Sequence, residues 1–305
     1  MTVLEQLPQG ARVAIIRLRS LGDCVLTTPA IDLLKRARPD LSVGMVVEPR
    51  FRDILEGNPH IDAILEPEWL PLRRWKPKLC LNLHGGTRSQ LLTAGSGARW
   101  RAGFAHHSTT LAYNVRIPRA QAIMGVNRVV HTAEHLASAF FSLGVPLCPV
   151  PRAQLFAGQS AYSGRYAVLH AFASAPDKQW PAARFAEVAR YLKLCDIRPI
   201  FLAAPGEDTT PFAGHDVLTC TLGPAKALLS KAVLFIGNDS GPAHIAAAFQ
   251  VPSLVLFSSR ISPAVWEPWQ TESEVILARE AMAEVSVSRV IAAIERLRAV
   301  TEAHA

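Results

Sequence analysis

Runs of consecutive apolar residues alternate along this 305-residue chain with longer stretches in which apolar positions recur at helical spacing. VAIIRL (13–18), VGMVV (43–47), 61–65 and LCLNL (79–83) predict strands in the first half, and RWRAGF (99–104) reads as a further short one. Between them the spacing predicts helices near 24–37, 50–56, 86–94 and 132–143. In the second half YAVLH (166–170), 198–203, 233–237 and 253–257 predict strands, with helices near 182–194, 224–231 and 242–249. Short, β-rich runs without alternation are buried on both faces, which belongs to parallel sheets covered by helices. A last helix at 287–299 has Val290, Ile291, Ile294 and Leu297 on one face, so it packs against a domain.

Three prolines in LGVPLCPVPRAQ (143–154) interrupt the alternation. They suggest two doubly wound α/β domains, 1–150 and 151–305, with ligands bound in a cleft at the carboxyl ends of the strands. No repeat or low-complexity segment is evident.

Composition narrows the class. Half of the residues are hydrophobic and 19% are charged, which is globular and not disordered. No secretory leader pattern opens the chain and no apolar run approaches a membrane span, so a cytoplasmic protein is expected. Five cysteines without a CxxC pair fit free thiols in a reducing compartment, and no histidine spacing suggests a metal site.

The charge is uneven. Residues 1–150 hold 18 Lys and Arg against 11 Asp and Glu, while 151–305 hold 14 of each. Residues 69–133 contain ten basic residues and no acidic one. Such a run is either a solvated face or the footprint of an anionic partner. Nucleic acid is not expected as that partner, since no recognition motif accompanies the charge.

Candidate chemistry lies in the loops that follow strands. RLRSLGDCVLTTPAI (17–31) has one glycine where a dinucleotide fingerprint has three, which argues against nicotinamide or flavin. Asp23, at the first turn of the next helix, reads either as a favourable charge at the helix end or as a general base. LHAFASAPDKQWPAARF (169–185) carries Ser174 and Lys178, a point charge suited to a diphosphate. FLAAPGEDTTPF (201–212) carries Glu207, which either accepts hydrogen bonds from sugar hydroxyls or caps a helix. NDSGPAH (238–244) opens a helix with Asp239, Ser240 and Gly241, followed by His244. Either Ser240 caps that helix or an anion sits against its free N–H groups.

Taken together, these segments resemble the bacterial ADP-heptose:lipopolysaccharide heptosyltransferases of glycosyltransferase family 9. RSLGDCVLTTPAI, DKQWPAARFAEVARYL and FIGNDSGPAHIAAAFQVPSLVLF carry the likeness, with support from 81–104 and 256–269. The resemblance implies a GT-B fold, in which two Rossmann-like domains bind acceptor (1–150) and nucleotide-sugar donor (151–305). It implies inverting transfer of heptose from ADP-heptose to a lipopolysaccharide inner-core acceptor, with no cofactor and no essential metal. By motif position Asp23 matches the base. Lys178, Ser174, Glu207, Asp239, Ser240, Gly241 and His244 match the donor site, and Ser20 and Gly22 fall on the acceptor side.

Arg99 and Arg101 are added as acceptor contacts, because arginine pairs bidentately with phosphates and alternate residues of a strand face outward. An anionic glycolipid acceptor would bring the N-terminal half to the inner membrane surface. Two further readings stay open: a family relative that moves another activated sugar to a different surface glycan, and a non-catalytic nucleotide-sugar-binding module.

Overall fold

The computed structural model describes residues 1–107 and 111–303. The chain divides into two compact units, Met1–Phe156 and Ala157–Ala305. The boundary thus falls six residues later than the prolines suggested. Val150, Ala153 and Leu155 are buried, and the Gln154 N–H donates to Thr28 Oγ1 of the first unit at 3.1 Å.

In the first unit the elements are β1 (Arg12–Ile16), α1 (Leu21–Ala37), β2 (Ser42–Val46), α2 (Arg52–Leu55), β3 (Ala63–Leu65), α3 (Trp69–Trp75), β4 (Leu79–Asn82), α4 (Thr87–Gly95), β5 (Trp100–Phe104), β6 (Val115–Ile117), α5 (Ala120–Met124) and α6 (Thr132–Leu143). Its six strands form one parallel sheet in the order β3-β2-β1-β4-β5-β6. Val13 to Ile16 of the central strand are fully buried, as a strand covered on both faces must be. In α1 every residue from Gly22 to Leu34 is buried. Pro29 lies inside that helix and lacks the N–H that Val25 would otherwise receive. The Thr28 hydroxyl donates to the Val25 carbonyl at 2.8 Å instead.

The second unit comprises β7 (Tyr166–His170), α7 (Ala182–Leu194), β8 (Arg198–Ala203), β9 (Asp216–Thr219), α8 (Leu222–Leu229), β10 (Leu234–Asn238), α9 (Gly241–Ala248), β11 (Ser253–Phe257), α10 (Pro263–Trp266), β12 (Ser273–Leu277) and α11 (Val287–Ala303). Its sheet, β12-β11-β10-β7-β8-β9, is also parallel throughout. Trp180, Phe185, Phe201 and Phe212 anchor its core, joined by Val290, Ile294 and Leu297 of α11. Ile291 is only half-buried. The short elements β6, β9, β12, α3, α5 and α10 go beyond the sequence expectation. The three extra strands are edge or near-edge pieces without a continuous buried run.

Read from its first strand outward, each sheet has the order 3-2-1-4-5-6. The order in which successive strands are added therefore reverses between β1 and β4 in one unit and between β7 and β10 in the other, while every strand stays parallel. Loops at the carboxyl ends of those strand pairs are where such sheets bind ligands.

Candidate functional site

In the second unit the loops after β7 and β10 meet at the reversal point. Asn238, fully buried at the end of β10, staples them: its amide donates to the Ala171 carbonyl at 2.8 Å and accepts from the Trp180 N–H at 3.0 Å. Trp180 is itself a core residue, packed edge-on against Phe185 and donating from Nε1 to the Val285 carbonyl at 2.8 Å. Gly237 lets the strands approach, since a Cβ there would come within 2.9 Å of the His170 carbonyl.

That frame brings Lys178 and Asp239 together, with Nζ 3.5 Å from Oδ2. Burial raises the Asp239 carboxyl pKa, and the lysine opposes that rise. Ser240 occupies the N-cap position of α9 with extended backbone, yet its side chain makes no capping hydrogen bond. The capping alternative for Ser240 is therefore incorrect. Its hydroxyl donates to the Asn238 carbonyl and lies 3.0 Å from His170 Nδ1. His170 is buried at the end of β7, and burial alone pushes its pKa down to about 4. The neutral ring fits the Ser240 hydroxyl without adding charge beneath the turn. The side chain that would close the N-terminus of α9 is turned away, so the positive end of the helix dipole faces the loops.

The remaining donor candidates lie in the same unit. Glu207 follows β8, the neighbour of β7; its Oε2 accepts from the Ala204 N–H at 2.7 Å, and burial raises its pKa. Ser174 is exposed in the loop after β7. His244 is buried in the first turns of α9, with its ring 6.1 Å from that of Trp266. Gly241 is the first residue of α9.

In the first unit Asp23 is the third residue of α1 and 7% exposed. Its Oδ2 accepts from the Ser20 N–H at 3.1 Å and from the Ser20 hydroxyl at 2.8 Å. The helix-end role foreseen for Asp23 is thus present. Asp23 also pairs with Arg17, whose guanidinium donates to the Leu83 carbonyl at the end of β4. Arg17 ties the carboxylate to the neighbouring strand, across the reversal point of this sheet. Ser20 and Gly22 frame the same turn.

Sequence reasoning missed a polar network beside this carboxylate. The Asn82 amide donates to Tyr113 Oη at 2.9 Å and to Ser89 Oγ at 3.0 Å, while its Oδ1 accepts from the His84 and Gly85 N–H groups. Tyr113 Oη lies 3.3 Å from His107 Nδ1. Gly85, at φ +78°, is required by that ring: a Cβ would fall 2.4 Å from His107 Nε2. Burial lowers the pKa of His84, His107 and His135, the last two to about 4, with the positive charge of Arg17 contributing. The signal in the sequence was LNLHGG after β4, the loop on the other side of the reversal point.

Arg99 and Arg101 do not join this group. They stand at the start of β5, at the end of the strand opposite the carboxyl edge. Arg101 is engaged structurally, donating to the Ala112 carbonyl at 3.0 Å and the Ala98 carbonyl at 3.3 Å. Arg99 lies over the Trp100 ring. Strand alternation had put both outward without saying which edge of the sheet they occupy. Among the described residues no three or more His, Cys, Asp or Glu side chains form a group that could hold a metal ion. No helix among them is long and apolar enough to cross a membrane.

This fold is similar to that of a family 9 glycosyl transferase from Veillonella parvula, at TM-score 0.80 and 21% identity over 94% of this chain and 97% of that one. It is likewise similar to the Escherichia coli heptosyltransferase WaaC with ADP, at TM-score 0.78 and 20% identity over 94% and 99% of the two chains. Two parallel doubly wound units of this kind define the GT-B class. Lipopolysaccharide heptosyltransferase 3 of Escherichia coli is 25% identical over 296 residues, 83% of this chain and 84% of that protein. Residues 71–292 match the profile of glycosyltransferase family 9 (heptosyltransferase). The chain belongs to that family.

Proposed function

We propose that this glycosyltransferase moves a heptose from ADP-heptose to a lipopolysaccharide inner-core acceptor with inversion at the anomeric carbon. The observation that carries the reading is the α9 N-terminus, uncapped by Ser240 and flanked by Lys178. A helix end and an ammonium at one loop junction suit a diphosphate. Likeness to a heptosyltransferase with bound ADP supports this use of the second unit. Glu207, accepting hydrogen bonds as a carboxylate, suits the ribose; Ser174, Gly241 and His244 would line the remainder of the donor site.

The first unit supplies the base. Asp23 takes the proton of an acceptor hydroxyl that displaces the Ser20 hydroxyl from Oδ2, while Arg17 holds the carboxylate in place. The freed alkoxide oxygen attacks the anomeric carbon as the bond to the diphosphate oxygen breaks, passing through an oxocarbenium-like state. The departing ADP gains negative charge, which Lys178 and the α9 dipole neutralise, so the mechanism requires no metal.

Thermal stability in a panel of ADP- and UDP-sugars tests the donor. ADP-heptose at about a hundred times its dissociation constant should stabilise the protein by roughly 2.7 kcal/mol. Transfer to a heptose-accepting inner-core oligosaccharide should persist in chelator and give the inverted linkage. Preference for a UDP-sugar, retention of configuration or abolition by chelator alone would each overturn the corresponding part of the reading.

A further inference from the structure

α3 and α4 of the first unit bury one face each and leave large apolar groups on the other. Leu72 and Leu92 are buried, whereas Trp69, Leu70 and Leu91 are 56%, 57% and 56% exposed. Single exposed leucines are ordinary; these three lie on adjoining helices. The Trp69 indole rests on α4, where a Cβ added to Gly95 would come within 3.1 Å of its Nε1. Leu91 is one turn from Gly95 on that helix, a spacing that puts both on one face. Arg88 of α4 closes the junction by donating to the Pro67 carbonyl at 3.1 Å, just before α3.

Cations outnumber acids on this stretch, where Glu66 and Glu68 are the exposed carboxylates that precede Trp69. Arg73 and Arg74 lie one turn beyond Trp69 and Leu70, and with Lys76, Lys78 and Arg88 they are exposed. Among the described residues none of these five forms an ion pair with a carboxylate. No acidic residue occurs in the chain between Glu68 and Glu134. An exposed indole and leucines on helices that also carry exposed arginine and lysine match the layered chemistry of a bilayer surface, where aromatic groups sit at headgroup depth and cations meet anionic lipid. A second copy of the chain fits less well, because self-pairing would oppose two faces that each carry these five cations against only two exposed carboxylates, Glu66 and Glu68.

We infer that the α3–α4 face docks the first unit on an anionic lipid bilayer. This deepens the reading of a lipid-linked acceptor and rests on it for its purpose, since docking would hold Asp23's unit at the surface where that acceptor is anchored.

The test uses the full chain with vesicles of phosphatidylcholine, alone or with phosphatidylglycerol as about one lipid in three. The protein should sediment with the anionic vesicles and remain free of the neutral ones, and high salt should release it. R73Q with R74Q should weaken binding about 30-fold, from about fivefold per cation near a charged surface. Trp69→Ser with Leu70→Ser should weaken it about tenfold or more. Both double variants should keep wild-type ADP binding and wild-type transfer to a lipid-free acceptor oligosaccharide. Equal sedimentation with both vesicle types, or wild-type binding by the arginine double variant, would overturn the proposal. So would concentration-dependent dimerisation that the Trp69 and Leu70 substitutions abolish. Vesicle binding without any heptosyl transfer would instead count against the proposed reaction alone.

Discussion

Replacing Lys178 with alanine removes the ammonium that lies 3.5 Å from Asp239 Oδ2 at the opening of α9. Two consequences follow for donor binding. A hydrogen bond to a charged group is worth about 1.5–3 kcal/mol, so ADP should bind roughly 10- to 150-fold more weakly. Adenosine lacks the diphosphate and should lose little. The second consequence concerns pH. Burial already raises the Asp239 carboxyl pKa, and Lys178 is what lowers it again. Without the lysine that pKa rises further, and the protonated carboxyl repels a diphosphate less than the carboxylate does. The variant's affinity for ADP should therefore fall as pH rises through the Asp239 titration, more steeply than in the wild type. Calorimetric titration of ADP and adenosine over a pH series that starts in the ordinary carboxylate range and rises to neutrality reads both effects. Lys178→Arg, which keeps the charge, should recover most of the affinity across that series. Equal losses for ADP and adenosine would make Lys178 a structural residue. An unchanged affinity for ADP would place the diphosphate elsewhere, and a pH-independent ratio of variant to wild type would uncouple Asp239 from the ligand.

Asp23→Asn should reduce turnover by about 10²–10⁴ while ADP binding persists. It should also lower the melting temperature, because Arg17 loses its carboxylate partner; wild-type turnover would leave Asp23 only its helix-end role. Arg101→Gln removes donors from the Ala98 and Ala112 carbonyls, and should cost about 1–2 kcal/mol of stability with no change in acceptor KM. An acceptor-specific rise in KM would return Arg101 to the binding site. Acid should destabilise the fold: His107, His135 and His170 have folded pKa values near 4, against about 6.5 in an unfolded chain. All three are neutral in both states above that range, so melting temperature should be flat there. It should then fall as the pH drops from about 6.5 towards about 4, where only the unfolded chain binds the protons. His170→Asn should flatten part of that slope, with buried His170 accounting for roughly 3 kcal/mol of it; identical slopes in variant and wild type would sink the assignment.

The central strands were legible in the sequence because a strand buried on both faces must be apolar at every position, and that signature is local. β1, β7, β10 and β11 sit where the runs VAII, YAVLH, LFIG and SLVLF put them. Once strands are placed, the loops after them are placed too, so Asp23, Lys178, Glu207 and Asp239 could be picked out as candidates. Edge strands such as β6 and β12 escaped because they are covered on one side, which removes the continuous run. The direction of Ser240 was not legible, since it depends on His170, seventy positions earlier. The Asn82–Tyr113–His107 network was equally hidden: its members share no spacing, and only the β1-β4-β5 order of the sheet makes neighbours of their loops. Arg101 shows the same limit in reverse. Its outward position could be anticipated from alternation, but whether it met ligand or the Ala98 and Ala112 carbonyls was decided by the return of the chain beside β5. Periodicity records how each residue meets water, and so yields elements and their buried faces; which polar groups become partners is set by strand order, because that alone decides which distant loops share an edge.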